Sequence, residues 1–74
     1  MRILPSGDHA LLVEVDGLDM ALGLYAHLRR VMRTDPVFGA AVDSLVPAAS
    51  TVLVTYDPLL MPRGGVEAVI RAWG

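Results

Sequence analysis

The chain has no cysteine and no lysine, and aromatic residues make up only 5% of it. Without thiols there can be no disulfide framework, no thiol nucleophile and no thiolate zinc site; a cytoplasmic location is permitted by that absence. All six cations are arginines, scattered except for the neighbours Arg29 and Arg30, and they face eight acids for a net charge of -2. A nucleic-acid binder needs a basic patch interleaved with stacking aromatics, and no such patch is present. Nucleic acid is therefore not an expected partner. No apolar run approaches the ~18 residues of a membrane span, and the opening MRILPSGD, with one cation and a short apolar pair before a turn, is too short for a secretory signal. A membrane is not expected either.

What the chain has in surplus is apolar residues, 54% of 74, led by eleven Leu, ten Val and nine Ala. A chain of this length forms one small domain that buries only about 60% of the surface exposed when unfolded. Its stability should be on the order of 4 to 10 kcal/mol. Such a small body cannot hide all of its apolar side chains, so an exposed apolar patch is expected, and patches of that kind mark contacts with other domains or subunits.

The order of elements follows from periodicity and punctuation. Met1 to Leu4 reads as a short strand closed by the turn Pro5-Ser6-Gly7-Asp8. In His9 to Val15 the side chains of Leu11, Val13 and Val15 alternate with Leu12 and Glu14, the pattern of a half-buried strand. The two strands should pair as a hairpin. Asp16-Gly17 breaks the pattern, and from Leu18 to Arg33 the period becomes helical. Leu18, Ala21, Leu22, Leu24, Tyr25, Leu28, Val31 and Met32 share one side, and Asp19, Gly23, His27, Arg30 and Arg33 the other. Thr34-Asp35-Pro36 stops that helix, because a residue before proline is driven out of helical geometry. Val42 to Val46 and Thr51 to Tyr56 read as a second hairpin. After Asp57-Pro58, the spacing of Val66, Val69, Ile70 and Trp73 marks a second helix running to the chain end. The predicted fold is α+β: a two-layer sandwich of order β-β-α-β-β-α, with a four-stranded antiparallel sheet and both helices on one face. Leu11, Val13, Val52, Val54, Leu28 and Trp73 are expected in or beside the core, and Leu12 and Leu53 on the open face.

Few residues suggest chemistry. Asp8-His9 could be an acid orienting a base, but neighbours at a strand start point to opposite faces, which suits a turn better than a shared substrate atom. There Asp8 would accept hydrogen bonds from turn amides and hold the hairpin register. His27 has Gly23 and Val31 at its helical neighbours, so no second metal ligand stands beside it, and a solvated side chain is expected. Ser6, Ser44 and Ser50 lie outside any Gly-x-Ser-x-Gly elbow, and Gly64-Gly65 is followed by no Gly-Lys-Ser/Thr. No catalytic, cofactor-binding or metal-ligating residue is assigned.

The segments RILPSGDHALLVEV and VDSLVPAASTVLVTYDP, separated by a helix, resemble the N-terminal domain of the KipI family, also described as the PxpB subunit of 5-oxoprolinase or as allophanate hydrolase subunit 1. The likeness covers most of residues 1 to 58; the stretch RVMRTDPVFGAA departs from the family's shorter connection. Gly7, Asp8, Thr51 and Asp57 fall on motif positions of the family, and no catalytic role attaches to them. The resemblance implies residues 1–74 are the first domain of a longer chain that continues into a cyclophilin-like C-terminal domain. It also implies association with a KipA/PxpC-type subunit in ATP-dependent 5-oxoproline cleavage or in allophanate metabolism, with ATP used by the parent complex. The family's inhibition of a sensor histidine kinase makes such a kinase a further implied partner. The expected role is thus a non-catalytic association domain. The alternative is a free-standing regulatory domain of α+β type, whose small ligand would require polar groups around a pocket between helix and sheet.

Overall fold

The computed structural model of the chain describes residues Met1–Trp73. The first turn falls where proline and glycine permit it, between strands β1 (Arg2–Pro5) and β2 (Ala10–Glu14). Gly7 takes φ 74, in the left-handed region that other residues avoid, and the Ser6 N–H donates to the Ala10 carbonyl at 2.9 Å. Helix α1 (Leu18–Thr34) follows, then the short helix α2 (Pro36–Ala41). The second hairpin is β3 (Val42–Pro47) and β4 (Thr51–Tyr56), and the last element is helix α3 (Arg63–Arg71).

The four strands form one antiparallel sheet in the order β1-β2-β4-β3. Each hairpin supplies two neighbours, and the central pairing joins them with Leu11 opposite Val54 and Val13 opposite Val52. Strand alternation then sends Leu11, Val13, Val15, Val52, Val54 and Tyr56 to one face, where they are buried together with Ala21, Leu24 and Leu28 of α1 and Val66 and Ile70 of α3. Burying each large side chain of this set contributes about 1.5 to 3 kcal/mol. The α+β two-layer arrangement expected from the sequence is present, and Trp73 packs against the core cluster as anticipated.

Three expectations are corrected. The stretch after Thr34 is a helix, not a plain connection. Asp35 is its N-cap, accepting from the amides of Val37 (3.0 Å) and Phe38 (3.2 Å), and Pro36 occupies the first turn, where its missing N–H costs nothing. This helix inserts Phe38, fully buried, into the core. It lies so close to α1 that a Cβ built at Gly39 would overlap the Met32 carbonyl oxygen.

The buried side of α1 is also rotated from the expected one. Leu18 and Leu22 are exposed, at 54% and 47%. Gly23 and His27 instead face α3. A Cβ at Gly23 would sit 3.0 Å from the Trp73 ring, and the half-buried His27 donates through Nε2–H to the Val69 carbonyl at 3.2 Å, with Nδ1 3.4 Å from Arg30. His27 is therefore a bridge between helices, not a solvated side chain. Finally, α3 ends at Arg71, before Ala72 and Trp73, and Gly74 lies outside the described residues.

Candidate interaction surface

The family-motif positions fall at two ends of the sheet. Gly7 and Asp8 occupy the β1–β2 turn, and the His9 carbonyl accepts from the Tyr56 N–H at 2.8 Å, which brings that turn beside Asp57. Thr51 stands opposite Glu14 at the other end of β4, roughly 17 Å away at ~3.4 Å per residue. The four residues do not converge. Asp57 has a local task, accepting from the Leu59 amide at 2.9 Å. Asp8 is exposed, and among the described residues its carboxylate accepts no hydrogen bond; the turn is held by the Ser6–Ala10 backbone bond instead. The register-holding role expected of Asp8 is therefore corrected.

Among the described residues, the remaining polar groups are engaged locally. The His27 ring is engaged by Val69 and Arg30, and the Ser44 hydroxyl by Thr55 Oγ1 at 2.6 Å. Among the described residues no group of three His, Cys, Asp or Glu side chains could hold a metal ion, and no helix is long and apolar enough to cross a membrane.

What the fold does assemble is a surface. On the face away from the helices, the register aligns Leu4 with Leu12, Leu12 with Leu53, and Leu53 with Val46. One apolar row thus crosses all four strands. Directly opposite residues in a sheet stand about 4.5 to 5.5 Å apart, so the row is continuous. It is bordered by rows that are polar apart from Ala10. Arg2, Glu14 and Thr51 lie on one side, with a 2.8 Å Arg2–Glu14 ion pair; Ala10, Thr55 and Ser44 lie on the other. An exposed pair of this kind contributes at most ~1 kcal/mol and serves solubility more than stability. Leu12 and Leu53 are where the alternation of their strands placed them. Val46 and Leu4, their partners in the row, follow only from the register.

A second feature is a groove of about 380 Å³ between α1 and the β3 edge. Tyr25, Arg29, Met32 and Arg33 of α1 form one wall, and Asp43, Ser44 and Leu45 of β3 the other. Arg29 donates to the Tyr25 hydroxyl at 2.9 Å, with its guanidinium 5.7 Å from the ring centroid, so its orientation is set by the ring beneath it. The sequence hid this groove because Tyr25 and Met32 read as core, and the arginines as the solvated end of a helix.

A four-stranded antiparallel sheet with one face covered by helices defines the class: a two-layer α+β domain. Among solved structures, the chain is similar to the conserved uncharacterized protein PH0987 from Pyrococcus horikoshii, at 27% identity and a TM-score of 0.71. The match takes in 96% of this chain and 33% of that one, so this chain spans about a third of the length of the protein it resembles. No family model matches the chain, and no curated protein matches it.

Proposed function

We propose that the chain acts as a non-catalytic association domain, the N-terminal domain of a KipI/PxpB-type subunit that works with a KipA/PxpC-type partner in ATP-dependent 5-oxoproline cleavage or allophanate metabolism. The observation that carries the association role is the apolar row Leu4–Leu12–Leu53–Val46, which lies on the sheet face opposite the helices. The likeness to one third of a longer chain supports a domain that works beside others. The sheet face that holds the row, polar borders included, spans roughly 19 Å by 17 Å at ~4.8 Å per strand and ~3.4 Å per residue, about 300 Å² in projection. A free-standing protein pair needs about 800 Å² per partner, whereas contacts between domains of one chain are often smaller. The cyclophilin-like domain implied by the resemblance is the natural cover.

The test uses the longer subunit co-expressed with its KipA/PxpC-type partner, comparing wild type with Leu12→Glu/Leu53→Glu. The facing glutamates repel and should cost some stability, while the circular dichroism of the 74-residue chain still shows a folded domain at room temperature. In the assembly it should reduce 5-oxoproline-dependent ATP consumption, or allophanate turnover, by tenfold or more. Unchanged turnover with a correctly folded variant would refute the role of the face. A wild-type assembly inactive on both substrates would refute the assignment of the reaction.

A further inference from the structure

We propose that the groove between α1 and the free edge of β3 receives a short acidic peptide segment in extended form. The inference rests on backbone and charge at that groove and is independent of the open sheet face. β3 is hydrogen-bonded to β4 on one side only. In an antiparallel ladder alternate residues aim both backbone groups at the partner strand, and the residues between aim theirs away. The Ala48 N–H donates to the Thr51 carbonyl at 2.8 Å, so Ala48 faces β4. Counting back, Val46 and Ser44 also face β4, while Pro47 and Leu45 face outward. Pro47 has no N–H to offer, and Asp43 sits in the register shift between Val42 and Ser44. The edge therefore presents one complete donor–acceptor pair, on Leu45, beside the groove that its side chain lines. That is the minimal element for adding an extended segment to a sheet. The proline and the bulge block longer pairing, which limits the guest to three or four residues and protects the edge from aggregation.

Charge selects the guest. Arg29 is held over Tyr25, and Arg33 opens onto the same groove; among the described residues neither makes an ion pair. The one acid of the groove, Asp43, lies at the bulged end and pairs with neither. Alternate side chains of an extended guest share one side, so two carboxylates two residues apart can both face the arginines and gain charge-assisted hydrogen bonds. Two arginines outweigh the single acid Asp43, so a cation is the weaker guest.

Titration of the ¹⁵N-labelled chain with acetyl-Val-Glu-Val-Glu-amide, followed by NMR, decides the matter. Saturable shifts are expected, largest at Leu45, Ser44 and Arg33, with a Kd on the order of 0.1 to 1 mM for so small a contact. Affinity should fall at least tenfold in Arg29→Glu/Arg33→Glu, and also in Arg33→Ala should the double variant fail to fold. The lysine counterpart, acetyl-Val-Lys-Val-Lys-amide, should not bind. Equal binding of the lysine peptide, shifts confined to Leu12 and Leu53, or no saturable shift up to several millimolar would each overturn the proposal. Glutarate producing the same Leu45 shift at the same affinity would overturn it too, since a small carboxylate would then suffice without the strand edge.

Discussion

Two aspartates with similar sequence surroundings have opposite roles. Asp8 and Asp35 each stand near a proline, yet only Asp35 has amides in reach, those of Val37 and Phe38. The difference lies in the path the chain takes beyond each acid. After Asp35 the chain coils, so orphan helix amides point back at the carboxylate; after Asp8 it runs out as strand, and its amides serve the ladder. Asp35→Ala should therefore lower stability by about 0.5 to 2 kcal/mol, a fall of several degrees in Tm for a domain of this size. Asp8→Ala should stay within about 0.5 kcal/mol of wild type, as an exposed residue with no hydrogen bond to lose. Thermal melts of the two variants check both statements, and a larger fall for Asp8→Ala would return the turn to its carboxylate.

Among the elements, the short helix α2 carries more stability than its six residues suggest. Phe38 is its one large buried side chain, and Phe38→Ala should cost about 3 to 5 kcal/mol. Set against a total on the order of 4 to 10 kcal/mol, that loss should leave a chain whose melting transition is broad or absent. A melt within about 5 °C of wild type would show that α2 is peripheral. The strands were legible because alternation has a period of two and the turns carry Pro, Gly and Asp; Leu11, Val13, Val52 and Val54 are buried as that pattern predicts. The first helix was legible as a helix but not in its orientation. A helical wheel assumes one buried side, and α1 has three neighbours, the sheet beneath it, α2 against Met32 and α3 beside it; the contact with the α3 end of the chain draws in Gly23 and His27 and leaves Leu18 and Leu22 outside. α2 was hidden because six residues cannot show a period. Its Asp-Pro start was the available signal, and taken alone it reads only as a stop.

For the whole molecule, the surplus of apolar residues foretold an exposed patch, and the register of four strands aligns one exposed side chain, Val46, with three half-buried ones, Leu4, Leu12 and Leu53. Half of the candidate surface, Leu12 and Leu53, was visible in single strands; Leu4 and Val46 required knowing which strands are neighbours, a fact no local pattern contains. The central claim is that this face is covered when the domain works. Because the chain has no cysteine, Leu53→Cys introduces a single thiol at the middle of the row, and Ala49→Cys places a control on the exposed β3–β4 turn. The measurement is the rate of alkylation of each thiol, read by mass spectrometry on its own peptide, in the isolated chain and in the proposed assembly of the longer subunit with a KipA/PxpC-type partner. The thiol at position 53 should react readily in the isolated chain and at least tenfold more slowly in the assembly, while the control at position 49 keeps its rate. Equal rates at position 53 in both states would contradict the claim.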